Sequence, residues 1–381
     1  MKSQFGFVGM MEMKKLTDIC DIQYGYAFDS KCFTEDSSYP QLVRIRDVKK
    51  GYSETYYSGD YPEEYILSED DLLVGMDGEF NIARWKCSGA LLNQRVCRLT
   101  AKVGTNEEYL RFAMSKSLKE IEQRTAFVTV KHLSAKELNK LELDVPELSK
   151  QDKIADTLSR LERVIESRQE ELEKLDDLIK ARFVEMFGDP DINPKGWTEC
   201  ALSEKLNVVG GYAFKSNMFD EDGGIPVLRI GNINAGYFKP VNLVYWQEDE
   251  DLERYAMYPG DLVMSLTGTV GKDDYGNVCI LGDDYEMYYL NQRNAKLEIK
   301  EGIDKFYIAQ LLKFEQIKKK LTGISRGVRQ ANISNKDILN LVVPVPPMEL
   351  QNQFADFVNQ VDKSKFVLQK KFQIIHYSDI I

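Results

Sequence analysis

The sequence has very little histidine and no paired cysteines. Only His132 and His376 occur in 381 residues, so a histidine-rich metal site or a Ser-His-Asp triad has almost no raw material. The six cysteines stand singly, with no Cys-x-x-Cys pair, which excludes the usual zinc and dithiol motifs. Their spacing suggests no disulfide framework, and we expect reduced thiols in a cytoplasmic protein.

Long apolar runs are also missing. The uncharged stretch at residues 5–11 is too short for the apolar core of a signal peptide, and no span reaches the ~18 apolar residues of a membrane helix. The formal net charge of −11 excludes a uniformly basic coat, so a polyanionic partner must meet local basic patches. With 43% hydrophobic and 29% charged residues, the composition predicts a folded chain of about two or three domains.

Signatures of catalysis are absent too. Residues 268–272 hold two glycines and a lysine but lack the spacing of a phosphate-binding loop. The Asp-Pro and Asn-Pro pairs at 189–190 and 193–194 lack the second proline and the aromatic residue of amino-methyltransferase motifs. The acidic run 248–251 lacks the spaced carboxylates of a calcium loop and is interpreted as a solvated charge run. The sequence therefore predicts no catalytic residue and no metal site.

The sequence does contain one long internal repeat. Its matched blocks are Gly-Tyr-Ala-Phe, Asn-Gln-Arg and Val-Pro, found at 25–28 and 211–214, 93–95 and 291–293, and 145–146 and 345–346. The offset between the halves grows from 186 to 200, which indicates loop insertions on a shared scaffold. We interpret the chain as a tandem duplication in which shared residues hold the fold and divergent loops differ in target.

Each half runs from strands to helices. Short segments rich in Val, Leu and Ile, bounded by Gly, Pro or Asp, predict strands at residues 41–48, 71–75, 89–99, 226–233, 261–266 and 294–299. Amphipathic patterns predict helices at 109–124 and 306–321. Each half is therefore predicted to be one α+β domain of about 135–150 residues.

Each half then closes on a heptad pattern. Apolar positions step by four and three at 154, 158, 161, 165, 168, 172, 175 and 179, and again at 354, 358, 361, 365, 368, 372 and 375. Because each CH₂ group left in water costs about 0.8 kcal/mol, we expect the apolar stripes of the two helices to pack on each other. The segment 188–196 would end the first helix and let the chain return, so the pair is predicted to be antiparallel. A helix over 150–187 would be about 57 Å long and would hold the two domains apart. Arg168 and Lys365 interrupt the seam, either to set its register or as snorkelling basic stems.

Two basic stretches are candidates for nucleic-acid binding. Residues 111–140 hold seven basic and three acidic side chains, and residues 307–337 hold seven and two. Each ends in a polar loop whose side chains suit phosphates and base edges. The candidates are Arg124, Thr129, Lys131, His132, Arg326, Arg329, Gln330 and Asn332, with Arg46, Arg84, Lys86, Asn232, Asn234 and Lys272 as secondary candidates in or beside divergent loops. The alternative for each is a solvated residue at a helix end.

In this order, and twice over, the blocks resemble the DNA-specificity subunit of type I restriction-modification systems. The segments 187–190 and 193–197 belong to the same resemblance, which extends from about residue 14 onward. It implies an α+β fold with two tandem homologous target-recognition domains, separated by two long antiparallel coiled-coil helices and related by a pseudo-two-fold axis. The implied parts are a first target-recognition domain at 14–149, a central conserved spacer helix at 150–187, a linker at 188–198, a second target-recognition domain at 199–349 and a C-terminal conserved spacer helix at 350–381.

The resemblance also implies function and partners. The chain would read a bipartite, asymmetric target in double-stranded DNA, one half per domain, with helix length setting the unread spacer. Two modification (methyltransferase) subunits and the restriction (helicase-nuclease) subunits would dock on the scaffold. This chain would hold no cofactor, and S-adenosylmethionine is expected on the modification subunits. Two alternatives remain: a non-catalytic protein–protein scaffold with two duplicated binding domains, which the 20 tyrosines allow, and an enzyme with an embedded methyltransferase.

Overall fold

The computed structural model of the chain describes residues 12–78, 80–124, 132–221, 223–270, 272, 274–323 and 330–373. These residues form two compact units, unit 1 at 12–168 with 372–373 and unit 2 at 169–371. Within the part of the chain that is described, no helix is both long enough and apolar enough to cross a membrane.

Unit 1 is a mixed α and β structure. Its strands are β1 (Glu12–Lys15), β2 (Cys20–Tyr24), β3 (Phe33–Thr34), β4 (Leu42–Val43), β5 (Tyr56–Tyr57), β6 (Leu72–Gly75), β7 (Asn81–Arg84), β8 (Leu91–Leu92), β9 (Val96–Ala101) and β10 (Glu142–Val145). Its helices are α1 (Leu16–Ile19), α2 (Glu107–Arg124) and α3 (Ala135–Leu138). The helix α4 (Leu148–Phe187) follows and contributes residues to both units.

The main sheet of unit 1 is antiparallel, with strand order β2-β9-β6-β7. One face packs against α2, because Leu110, Met114 and Leu118 recur at helical spacing and are buried against the sheet. Leu72 and Leu99 are among their partners on the strands. The short pairs β3–β5 and β4–β8 lie outside this sheet and carry the loops of the unit.

Unit 2 repeats this plan with additional strands. Its strands are β11 (Glu199–Ala201), β12 (Leu206–Gly210), β13 (Ile225–Leu228), β14 (Tyr245–Trp246), β15 (Ala256–Met257), β16 (Leu262–Ser265), β17 (Thr267–Thr269), β18 (Val278–Ile280), β19 (Tyr288–Leu290), β20 (Asn294–Ile299), β21 (Gln330–Asn332) and β22 (Val342–Pro344). Its helices are α5 (Ile230–Ile233), α6 (Lys305–Leu312), α7 (Glu315–Thr322), α8 (Asn335–Leu339) and α9 (Met348–Gln373). The main sheet, β12-β20-β16-β18, has the order of its counterpart in unit 1.

Buried polar residues are duplicated with their hydrogen bonds. The Gln151 side chain accepts from the Asn106 N–H at 2.9 Å and donates to the Pro146 carbonyl at 2.8 Å. In unit 2, Gln351 accepts from the Asp304 N–H and donates to the Pro346 carbonyl, both at 2.7 Å. Buried amides are costly unless both ends are paired, so this glutamine fixes the start of each long helix against its unit. The predicted duplication is confirmed at the level of individual hydrogen bonds.

The predicted seam between the long helices is observed within unit 2. Phe187 of α4 packs on Phe354 of α9, with ring centroids 5.5 Å apart. Further along, the Lys365 ammonium lies 2.6 Å from a carboxylate oxygen of Asp176. Because the residue numbers fall on α4 as they rise on α9, the two helices are antiparallel there. Lys365 therefore forms an interhelical ion pair, as expected of a residue that sets the register.

Four secondary-structure predictions are wrong in part. The segment predicted as one strand at 89–99 holds two strands, β8 and β9, separated by a turn. Segments 41–48 and 226–233 each hold only a short strand, followed by a helical turn at Ile45–Asp47 and Ile230–Ile233. The predicted helix at 306–321 is broken into α6 and α7, because Phe314 is extended there and its side chain is buried in the core. Tertiary burial of one aromatic ring thus overrides the helical pattern.

All six cysteines are free. Burial raises the pKa of Cys20 and of Cys279 to about 12, so both thiols stay protonated and poorly nucleophilic near neutral pH.

Candidate nucleic-acid interface

A short two-stranded ladder in unit 2 carries several predicted residues. Strand β17 pairs with β21, so that Thr267 lies opposite Asn332 and Thr269 opposite Gln330. Asn332 is exposed, as is Lys272 just beyond β17. The backbone N–H of Thr269 and its hydroxyl group donate to Asp274, which holds the pKa of that carboxyl below its usual value. The exposed Asn332 amide and Lys272 ammonium therefore lie at this ladder. Arg326, Arg329 and the side chain of Gln330 lie outside what the structure describes.

Asn234 stabilises the turn beside this ladder through side-chain hydrogen bonds. Its amide nitrogen donates to the Asp274 carbonyl at 2.7 Å, and its oxygen accepts from Asn277 at 3.4 Å. Asn277 in turn accepts a hydrogen bond of 2.6 Å from the buried Lys318. Asn234 is half-buried and its polar atoms are occupied, which makes it a support for the turn rather than a residue that reads bases.

Asn232 was predicted as a DNA contact, and that prediction is wrong. Its side chain is 1% exposed. The amide oxygen accepts from the Arg229 N–H at 2.9 Å, while the nitrogen donates to the Lys239 and Val241 carbonyls at 3.0 and 2.9 Å. Buried amides require hydrogen-bond partners, so Asn232 stabilises the fold of this turn. Nothing of it remains to face a ligand.

Unit 1 brings together a small polar cluster at the corresponding edge. His132 forms an isolated β-bridge with Asp77, at the place where Asn332 pairs with Thr267 in unit 2. The His132 ring also hydrogen-bonds the Asp77 carboxylate, and the Arg95 guanidinium lies 2.9 Å from Nδ1 of His132. Thr129 and Lys131 precede this cluster in the sequence and lie outside the described residues.

The other predicted cations of unit 1 fall into two groups. Arg46, Lys86 and Arg124 are exposed, and Lys86 lies beside the 45–51 turn through a 3.1 Å backbone hydrogen bond to Gly51. Arg84 instead points to α2, where its guanidinium lies 3.0 Å from Glu107 and contacts Glu108. Although burial raises the pKa of Glu108, hydrogen bonds from Arg111 and Arg84 hold it below its usual value. The structure thus gives Arg84 a packing role.

Charge counted along the sequence overstates the basic surface. Arg111 contacts Glu108 and Glu162 and connects α2 to α4 inside unit 1. In unit 2, Lys318 is buried and Lys320 pairs with Asp191 at 2.8 Å. Consecutive helical residues face different directions, so only part of each basic stretch is available to an anionic partner.

The repeated Gly-Tyr-Ala-Phe turn now has a physical explanation. A Cβ atom on Gly25 would lie 2.0 Å from the Asn93 carbonyl oxygen, and one on Gly211 would lie 2.1 Å from that of Asn291. Only glycine permits this approach of two backbones. The following Tyr26 and Tyr212 stay 41% and 38% exposed, and Gln94, Arg95, Gln292 and Arg293 are exposed as well. These surface residues are not among the candidates predicted from the sequence, although their repetition in both halves is a signal.

The chain thus contains two copies of one α+β unit. Each copy has a polar edge beside a basic stretch of sequence and is followed by a long helix. This arrangement is typical of a recognition protein that arose by duplication. A family model described as the type I restriction modification DNA specificity domain matches residues 9–176 and 194–375. The chain belongs to this family, and its place is that of a non-catalytic specificity subunit.

Individual relatives agree with this assignment. The chain is 28% identical over 377 residues to the EcoBI type I restriction enzyme specificity subunit of Escherichia coli, covering 91% of this chain and 78% of the relative. It is 25% identical to the MjaVIII specificity subunit of Methanocaldococcus jannaschii, covering 79% and 74%. The fold is similar to the crystal structure of the S subunit of a type I system from M. genitalium, with a TM-score of 0.52, 16% identity and coverage of 97% and 94%.

Proposed function

We propose that the chain recognises a two-part, asymmetric target in double-stranded DNA, one part with each unit. The observation that supports this proposal is that the two units share one framework but differ in the side chains at one corresponding edge. At matching positions, unit 1 has Asp77 and His132, whereas unit 2 has Thr267, whose hydroxyl oxygen is buried, and the exposed Asn332. Side chains with different donors and acceptors select different base edges, so one fold used twice would read two different sequences.

Exchanging one unit tests this proposal. Replacement of residues 14–149 by the same region of a relative is expected to change one half of the methylated target and to leave the other half unchanged. Strand-resolved methylome sequencing of cells carrying the hybrid measures the outcome. The reciprocal exchange of residues 199–349 is the matched control and should change only the other half. A hybrid whose two half-sites both change would refute the assignment of one half to each unit.

We further propose that modification subunits and restriction subunits dock on the shared scaffold and supply methyl transfer and cleavage. Apolar side chains left exposed on the paired helices of unit 2 support this proposal. Leu178 on α4 is 47% exposed and Val367 on α9 is 53% exposed. Contiguous exposed apolar area is typical of surfaces that bind other proteins, and these two side chains would form part of such a surface. S-adenosylmethionine would be bound by the modification subunits, with no cofactor in this chain.

A charge placed on these helices should weaken docking. We expect Val367→Asp and Leu178→Asp to reduce the amount of modification subunit that co-purifies with the chain, because a buried unpaired carboxylate costs several kcal/mol. The matched control is Val241→Asp, at a 45% exposed position outside these helices. Equal recovery of the modification subunit with all three variants would exclude this surface.

A further inference from the structure

One group of repeated polar residues lies at the surface of each unit. Repeated residues such as Gln151 and Gln351 are buried and hydrogen-bonded, so the fold requires them. The Tyr, Gln and Arg side chains of another repeated group lie on the surface instead. This group is called the Tyr-Gln-Arg corner and consists of Tyr26, Gln94 and Arg95 in unit 1 and of Tyr212, Gln292 and Arg293 in unit 2.

The framework holds both corners with the same backbone hydrogen bonds. In unit 1, the Tyr26 N–H donates to the Leu92 carbonyl at 3.0 Å, and the Gln94 N–H donates to the Tyr26 carbonyl at 2.8 Å. In unit 2, the Tyr212 N–H donates to Leu290 and the Gln292 N–H to Tyr212, both at 2.8 Å. These backbone bonds fix the residues in both units, and each tyrosine ring also packs on a neighbouring ring, Tyr26 on Phe28 at 5.1 Å and Tyr212 on Phe214 at 4.9 Å between centroids.

Each corner also borders the edge at which the two units differ. The Arg95 carbonyl accepts from the Met76 N–H at 2.9 Å, and the Met76 carbonyl accepts from Leu133 at 2.8 Å. In unit 2, Arg293 accepts from Leu266 at 2.8 Å, and Leu266 accepts from Ile333 at 2.9 Å. The residues beside these bonds are the unlike pairs Asp77–His132 and Thr267–Asn332. The hydrogen-bond donors that both units share therefore lie next to side chains that differ between the units.

We infer that the Tyr-Gln-Arg corner contacts the phosphodiester backbone of DNA in each half of the target. This inference rests on the proposed function of DNA recognition. Identical side chains cannot account for the difference between two base sequences, whereas phosphates are the same at every step. Guanidinium, amide and phenol groups are all donors to phosphate oxygens. The corner would hold the backbone in place while the divergent edge reads the bases.

The two corners differ in one charged neighbour. The Arg95 guanidinium lies 3.3 Å from the Asp77 carboxylate, which competes with phosphate for the same cation. The matching residue in unit 2 is Thr267, and among the described residues the Arg293 guanidinium has no hydrogen-bond or ion-pair partner. Arg293 should therefore contribute more to DNA affinity than Arg95. The substitution Asp77→Thr should strengthen DNA binding.

The test is a salt titration of the full chain with two labelled duplexes, one carrying the methylated target sequence and one scrambled. We expect Arg95→Gln and Arg293→Gln to weaken binding of both duplexes by the same factor, about tenfold for Arg293. The slope of log affinity against log salt should fall by about 1 for each phosphate that is no longer neutralised. Fluorescence anisotropy measures both quantities, and circular dichroism confirms that each variant is folded.

Matched controls come from the same two strands. Lys102 and Lys300 directly follow β9 and β20, whereas Arg95 and Arg293 directly precede them. The two ends are about 20 Å apart at roughly 3.4 Å per residue. These lysines are duplicated too, and each donates to a backbone carbonyl, of Thr17 at 2.6 Å and Ser203 at 2.8 Å. The substitutions Lys102→Gln and Lys300→Gln remove the same charge and should leave both affinity and slope unchanged.

Each outcome has one meaning. If the wild-type chain binds neither duplex, the proposed function fails and the inference fails with it. If it binds both and the arginine variants match the lysine controls, only the inference fails. Weaker binding of the target duplex alone would indicate a base contact and overturn the phosphate assignment. If the arginine variants bind DNA normally but no longer co-purify with a modification subunit, the corner is a protein interface, and the phosphate assignment is overturned as well.

Discussion

Substitution of Gly211 by Ala is expected to lower the free energy of unfolding of unit 2 by about 3 kcal/mol or more. The added methyl group would meet the Asn291 carbonyl oxygen at 2.1 Å and the Leu290 carbonyl oxygen at 2.7 Å. Both are backbone atoms and cannot move aside like the end of a flexible side chain. The cost arises because the turn would have to separate from the β19–β20 connection.

Hydrogen exchange as a function of urea concentration measures this change on peptides from residues 288–297. The matched control is Gly231→Ala, because a methyl group there has no neighbour within 4 Å and replaces glycine in a helical turn. That control is expected to be neutral or slightly stabilising. Equal exchange in the two variants would show that the close approach at Gly211 does not hold the turn.

Substitution of Phe183 by Ala is also expected to lower the free energy of unfolding strongly. This side chain is fully buried where α4 enters the core of unit 2. Its ring centroid lies 4.9 Å from that of Phe187, 5.2 Å from Tyr307 and 5.5 Å from Phe354. Removal of a buried phenyl ring costs about 3–5 kcal/mol, because its transfer energy is forfeited and a cavity is left behind. We expect α4 to lose its attachment to α9 and to the sheet.

Thermal and urea denaturation of the purified chain check this prediction. Val184→Ala is the control, since it removes apolar atoms from the next residue, which is 41% exposed. Its expected effect is below about 0.5 kcal/mol. A Phe183→Ala protein that unfolds at the wild-type urea concentration would contradict the proposed role of this aromatic cluster.

The long-range organisation was predictable because repeats and heptads are regular along the sequence. The internal repeat predicted two units with one fold, and the heptads predicted the antiparallel seam, including the unusual Lys365. Short-range details were less accessible. The second part of the strand predicted at 226–233 is the helical turn Ile230–Ile233, because Asn232 caps it with a side-chain hydrogen bond. That local bond has no signature in hydrophobic periodicity.

The sequence by itself determined the duplication and the helix pairing, because both follow from residue types and their order. Only the tertiary structure decided which polar residues reach the surface. Asn232 and Arg84 were plausible ligands for DNA until burial and ion pairs showed that the fold uses them. Gln292 and Arg293 were counted as framework until their exposure separated them from it. The physical reason is that exposure depends on neighbours distant in sequence, which no local pattern specifies.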